Sequence, residues 1–342
     1  MSKSNPGFAR RKQRSFAVLP WIVSVVVFSV GLMSFVTSEI SFEERVRMGG
    51  NIVLTGSVRI TETLRPPSNT RIIGDVTGPL VPELVLASGV AHLIELRDVE
   101  NVLIEGFRLR AEPGAIGHLI RCQDASRITL RDLELRDAPF YGIGCQAGAA
   151  IDHHYDNIFI SGSGSCAIDF KDRDHRNARV RMNGISIVGF GLDPTQQAAG
   201  IDVRGAGFTL SNIFVHDVSE ARTGIRFRFG SECGRRSTLV GFEVISPSGL
   251  GWHGVEIQCD DVHVSNGIVQ GFGHPNPSAA GVLVQGVVDS ADRCSVSSIS
   301  AIDCARGFAL GPLSTESSIR ACRSLRCPTH AVDDSASGVI VR

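Results

Sequence analysis

The chain has 342 residues, 43% of them hydrophobic and 20% charged, enough apolar material for a large buried core, which excludes a disordered or fibrous class. With 34 Lys and Arg against 35 Asp and Glu, the formal net charge is −1, so no global field recruits nucleic acid and a charged partner must be met locally. Gly is frequent at 37 residues, aromatics make up only 6%, and helical periodicity is scarce after the N-terminal segment, which predicts short strands joined by turns in an all-β chain.

The N-terminus carries Lys3, Arg10, Arg11, Lys12 and Arg14, followed by an uncharged apolar run from Ser15 to Val36. As a helix that run would reach about 30 Å, the thickness of a bilayer's hydrocarbon core. The basic flank precedes it, so residues 1–14 are expected in the cytoplasm, residues 15–36 in the membrane, and the remainder in the periplasm or outside the cell. The run is longer than a typical signal-peptide core and Ser34–Ser38 offers no A-x-A-like site, so an uncleaved signal-anchor is expected. Residues 37–50 form a stem or capping segment in which SFEERVRMGG (from Ser41) reads as a short amphipathic helix over the first coil, or else as a flexible linker.

From residue 51 to 342 one short pattern keeps returning. Its first member is an alternating apolar strand: NVLIEGFRLR (from Asn101), RITLRDLELR (from Arg127), DNIFISGSG (from Asp156), ARVRMNGISIVGF (from Ala178), FTLSNIFVHDV (from Phe208), TLVGFEVIS (from Thr238), VHVSNGIVQGF (from Val262) and CSVSSISAIDC (from Cys294). Successive copies start about 22 to 32 residues apart, the span of one solenoid coil. A second member follows: YGIGCQ (from Tyr141), CAIDFKD (from Cys166), AGIDVRG (from Ala199), TGIRFRFG (from Thr223), HGVEIQCD (from His253), AGVLVQG (from Ala280) and RGFALG (from Arg306). Each coil therefore contributes at least two strands and returns to the same place, which defines a single-domain β-solenoid.

Nine cysteines fall in the exported part: Cys122, Cys145, Cys166, Cys233, Cys259, Cys294, Cys304, Cys322 and Cys327. An exported location permits disulfides, and the odd count leaves at least one thiol unpaired in a monomer. Cys294 with Cys304 and Cys322 with Cys327 are the first pairs to test, although most of the nine read as small apolar core residues. No C-x-x-C with a His partner occurs, so zinc is not suggested.

The recurring "sN-I-x-V … G-I-x-V" pattern, as in LSNIFV (from Leu210) with TGIRFR (from Thr223), resembles the pectin-lyase-like superfamily of right-handed parallel β-helices, across roughly Gly50 to Arg342. The resemblance implies a fold and leaves activity open among polysaccharide lyases, glycoside hydrolases, uronate epimerases and non-catalytic proteins. The V-W-I-D-H strand of pectate lyases is absent, as are the N-T-D, D-D, G-H-G and R-I-K motifs of polygalacturonases. GFGLDPTQ (from Gly189) is only faintly similar to the Y-G-F-D-P-H-D signature of alginate epimerases and lacks its His and final Asp, so no catalytic role carries over.

Within the G-I-x-V strands a period of two points Ile or Val inward and the intervening residues outward, and stacking aligns those outward residues about 4.8 Å apart. The first outward row reads Gly144, Asp169, Asp202, Arg226, Glu256, Leu283, and the second Gln146, Lys171, Arg204, Arg228, Gln258, Gln285. Adjacent Asp169 and Asp202 repel, which raises at least one pKa unless a cation or proton is shared, and such pairs suit general acid/base work. Asp169, Asp202, Arg226, Glu256 and His153 are the expected catalytic residues. Lys171, Arg204, Arg228, His154, Tyr155, His175, Trp252 and His253 are expected to bind substrate, the cations neutralising a uronate carboxylate and the indole offering an apolar platform. Alternating charges also stabilise a solvated sheet face without any site. Ca²⁺ would suit carboxylate rungs, but no loop has a recognisable calcium spacing, and no cofactor is expected.

The expected function is action on an extracytoplasmic, uronate-containing polysaccharide as a lyase or C5-epimerase. The alternatives are a glycoside hydrolase, a non-catalytic polysaccharide-binding or export module, and a structural or adhesive solenoid such as a phage tailspike.

Overall fold

A computed structural model of the chain describes residues 40–171, 174, 176–228, 236–275, 278–287 and 291–333. The basic tail and the expected membrane segment lie outside these residues, as do His175 and Cys233. Among the described residues no helix is long and apolar enough to cross a membrane.

The strands of the two sheets pair in parallel and link each coil to the next, giving two long sheets of sixteen and ten strands. The ten-stranded sheet stacks His92–Arg97, His118–Gln123, Ile143–Gln146, Ile168–Lys171, Ala199–Val203, Thr223–Phe227, His253–Ile257, Ala280–Val284, Arg306–Leu310 and Thr329–Asp333. The larger sheet carries the first member of every repeat, for example Arg181–Phe190, Thr209–His216 and Ser237–Ile245. Ile187, Val215 and Val244 align in one row of it and face Ile201, Ile225 and Val255 in the same core.

The two recurring small residues have separate physical roles. Asn212, the Asn of L-S-N-I-F-V, sits in the left-handed region at φ 53°, which Asn tolerates better than most residues. Its side chain donates to Asn183 Oδ1 of the preceding coil at 2.8 Å. Two other coils place Gly184 and Gly241 at the equivalent turn, at φ 64° and 65°. The Gly of G-I-x-V serves close packing instead. A Cβ on Gly224 would lie 2.1 Å from Val244 Cγ1 and 2.6 Å from the Gly254 carbonyl oxygen, so the chain turns its corner where only hydrogen fits. Gly224→Ala is expected to destabilise the solenoid by about 1–3 kcal/mol through overpacking, read as a lowered urea midpoint with unchanged m-value.

The segment after Ser41 is a helix, Phe42–Met48, rather than a flexible linker. Ser41 Oγ accepts from Glu44 N–H at 3.1 Å as the N-cap, and Phe42 and Val46 join the core cluster. The cysteine pairs suggested by chain proximity do not form. Cys294 and Cys304 stand at opposite ends of the extended strand Ser295–Ile302, and Cys322 and Cys327 flank Arg323–Leu325. Neighbours come from adjacent coils: Cys294 Sγ donates to the Cys259 carbonyl at 3.1 Å, and Cys304 N–H to Cys327 Sγ at 3.4 Å. All four are free thiols.

Candidate active site

The outer row of the ten-stranded sheet has the expected register. Gly144 pairs with Asp169, Asp169 with Asp202, Asp202 with Arg226, Arg226 with Glu256 and Glu256 with Leu283. It also runs further toward the N-terminus, because Gly144 pairs with Arg121 and Arg121 with Glu95. Glu95 is held by Arg65 at 2.7 Å, Arg97 at 2.8 Å and Arg121 at 3.4 Å.

A second outer column precedes this row. Gly142, Gly200 and Gly224 turn into the core, where a Cβ on each would strike a side chain of the opposite sheet. The residue before each glycine is thereby placed on the outside. The column contains His92, His118, Tyr141, Cys166, Thr223 and His253, of which His92, His118 and Tyr141 stack with ring centroids 4.8 and 4.9 Å apart. Gly144 makes room for this stack, since a Cβ there would meet the Tyr141 ring at 3.0 Å.

The row is buried rather than displayed to solvent. Asp169, Asp202, Arg226 and Glu256 expose only 2, 3, 6 and 6% of their surface. Every residue of Ala199–Val203, Thr223–Phe227 and His253–Ile257 is buried, so both sheet faces are covered. Burial changes the electrostatics. Asp202 Oδ2 lies 3.0 Å from Arg228 Nε and 4.0 Å from Arg226 Nη1, while Arg226 Nε lies 2.8 Å from Glu256 Oε2. Asp169 stands at the end of this network. Loss of solvent, and then the neighbouring Asp202 charge, push its carboxyl up to about 7. Burial likewise raises Asp202, against the pull of Arg226 and Arg204. Oδ1 of both aspartates has no hydrogen-bond partner among the described residues, although buried carboxylate oxygens are ordinarily satisfied.

Asp169 is connected to an open cleft. Tyr141 adjoins its carboxyl and favours the ionised form, and Gln146 Nε2 donates to Oδ2 at 3.2 Å. Tyr141 and Gln146 in turn line a cleft of about 610 Å³ together with Phe140, Lys171, Asp174, Arg176, Gln196 and Arg204. The cleft therefore has an aromatic wall, a cationic rim and, behind both, a carboxyl group poised to exchange a proton near neutral pH.

Several expected site residues lie elsewhere. His153 and Tyr155 point into the core, 1 and 0% exposed, because Asp152 adopts φ 57° and shifts the alternation of the strand after it. Neither reaches the outer face. His154 is exposed on the sixteen-stranded sheet, paired with Thr129 and Arg181. Trp252 is half-buried. Its Nε1 donates to Ser278 Oγ at 3.2 Å, and its ring stacks on His253 at 5.4 Å. Burial pushes His253 down to about 4 and His118 to about 3, so both imidazoles are neutral at pH 7 and do not shuttle protons there. Tyr141, Cys166 and His118 are outer-face residues that strict period-two reading misses, and Glu95 and Arg121 extend the row to earlier coils. The signal that could have found the first two is their position immediately before the small residue of the repeat.

Fold and site together define a parallel β-helix with a polar outer row on its ten-stranded sheet. No family model matches this chain, and no curated protein matches it. Among solved structures it is similar to the gp42 tailspike of Acinetobacter phage vb_AbaP_AS12, at 11% identity and TM-score 0.59 over 87% of this chain and 59% of that one. It is also similar to PfbA, a surface adhesin of Streptococcus pneumoniae, at 9% identity and TM-score 0.54 over 83% of this chain and 85% of that one. The A-module of the Azotobacter vinelandii mannuronan C-5 epimerase AlgE4 aligns at 12% identity and TM-score 0.44 over 86 and 90% of the two chains. At these identities the likeness is one of fold.

Proposed function

We propose that this protein acts outside the cytoplasm on an anionic, uronate-containing polysaccharide, as a lyase or C5-epimerase. The observation that carries the reading is the coupling of a proton-exchanging carboxyl to a cationic cleft. Asp169 is raised to about 7, accepts from Gln146 and adjoins Tyr141, and both of these line the cleft that Lys171, Arg176 and Arg204 surround. Both reactions begin by removing the proton α to a uronate carboxylate, which requires cations on that carboxylate and a base of suitable pKa. Asp169 takes the proton, directly or through the Tyr141 hydroxyl. Elimination then moves the electron pair into a C4–C5 double bond as the C4–O bond breaks and the leaving oxygen is protonated. Epimerisation returns a proton to the opposite face.

One observation favours a second reading. Asp169 and Asp202 are neighbouring carboxyls with different surroundings, the division of labour a glycoside hydrolase uses between acid and base. Incubating the full-length chain with a panel of acidic polysaccharides separates the outcomes. Absorbance of unsaturated uronate marks a lyase, a changed epimer ratio marks an epimerase, and new reducing ends without unsaturation mark a hydrolase. Saturable binding with none of these would reject catalysis. On the substrate so identified, Lys171→Ala and Arg204→Ala are each expected to raise KM about 10-fold, or ~1.4 kcal/mol, with a weaker salt dependence than the parent chain.

A further inference from the structure

A different cluster lies inside the hydrophobic core, on the inner side of the two strands that precede the Asp169 strand in the ten-stranded sheet. Cys122 and Cys145 are register partners on adjacent strands of the ten-stranded sheet, exposed by 1 and 0%. His153 and Tyr155 reach the same point from the opposite sheet. One donor atom from each of Cys122, Cys145 and His153 lies within 4.8 Å of the other two. The Tyr155 hydroxyl joins them, 3.5 Å from Cys145 Sγ and 2.9 Å from His153 Nδ1. The other ring nitrogen, Nε2, lies 3.0 Å from the Ala125 carbonyl oxygen. A carbonyl only accepts, so Nε2 carries the proton and Nδ1 turns its lone pair toward the hydroxyl and the sulfurs. Metal-ligating imidazoles are oriented in this way by a backbone carbonyl on their far side.

We propose that Cys122, Cys145 and His153 bind one zinc ion in the core, with the Tyr155 oxygen as fourth donor. Donors around tetrahedral zinc stand about 3.3 to 3.8 Å apart, from Zn–S of about 2.3 Å and Zn–N of about 2.0 Å. The observed separations, at most 4.8 Å, exceed that range by no more than about 1 Å. Charge selects the metal: two thiolates offset the charge of Zn²⁺ and leave the buried site neutral, whereas Cu⁺ on the same thiolates would leave a net charge in a core that cannot solvate it. Four protein donors close the coordination shell, the mark of a structural site. The ion would tie the two sheets together directly beneath the coils that carry Tyr141 and Gln146.

The test uses the full-length chain, produced with supplemented zinc and purified reduced and without chelator. The expected result is about one zinc per chain by elemental analysis, a thiolate-to-cobalt charge-transfer band after exchange with Co²⁺, and a melting temperature several degrees lower after chelation. Cys122→Ser and His153→Ala should each lower zinc content at least 10-fold, while Cys259→Ser, at a buried cysteine of a later coil, should not. Should the His153 variant fail to fold, the cobalt spectrum and the chelation shift of the parent chain decide. A parent chain without zinc, copper in its place, or a Cys122–Cys145 disulfide in non-reduced peptide maps would overturn the proposal.

Discussion

Asp169→Asn is expected to reduce turnover by about 10²–10⁴-fold, the usual contribution of a positioned general acid or base, and to make the folded chain more stable above pH 7. The two effects share one cause. Asp169 titrates at about 7 in the fold, against an ordinary value of 3.8. Between those values the folded chain holds a proton that the unfolded chain has released, so stability falls as pH rises through that window. The full loss, reached above pH 7, is on the order of 4 kcal/mol at 1.36 kcal/mol per pH unit. Asn keeps the shape, can still accept from Gln146, and never acquires the charge. Urea midpoints at pH 5 and pH 8 should therefore converge in the variant and differ in the parent. A parent chain whose midpoint ignores pH, or a variant that retains turnover, would remove Asp169 from the proposed role.

The largest effect on stability is expected from Arg226→Ala. Arg226 Nε lies 2.8 Å from Glu256 and Nη1 4.0 Å from Asp202, and Nη2 donates to Thr223 Oγ1 at 3.1 Å. Removing it strands the Glu256 carboxylate where solvent does not reach, while Asp202 keeps Arg228 at 3.0 Å, a change that typically costs about 3–5 kcal/mol. The double variant Arg226→Met with Glu256→Leu should recover most of that loss, because it removes both members of the pair. The local environment suits such a swap: on the next rung Leu283 already packs with Ala280 and Ala309 in an apolar cluster. Chemical unfolding of the single and double variants measures both outcomes. If the double variant is no more stable than the single, the buried ion pair is not what the single variant breaks.

The repeat made the register legible. Aligning the Ile or Val that follows the small residue in AIDFK, GIDVR, GIRFR and GVEIQ places Asp169, Asp202, Arg226 and Glu256 on consecutive rungs, and they pair that way. Burial of the row was not legible, because the alternation of one strand says nothing of what lies over the sheet's outer surface. Two local departures from period two hid other residues. At Gly224 two successive residues face inward, so the residue before the glycine, like Tyr141 in an earlier coil, belongs to the outside. At Asp152 a left-handed turn sends His153 inward. The row's extension to Arg121 and Glu95 escaped notice because those strands have Leu119 and Leu93 where later coils have Gly or Ala. The zinc donors evaded motif reading for a related reason: solenoid geometry juxtaposes residues one coil apart, so their spacing along the chain follows coil length and not a ligand signature.

The parallel pairing of each coil with only its immediate neighbours also sets an order of assembly. Such arrays nucleate locally and grow by adding one coil to an existing template. During synthesis the N-terminal coils are complete first, so the cleft beside Asp169 can close before the strands from Ser295 onward have left the ribosome. Fraying at the far end, where the last strands are short, is separated from the cleft by several intact coils. The working face is protected by distance along the stack, and its integrity does not depend on the last coil being in place.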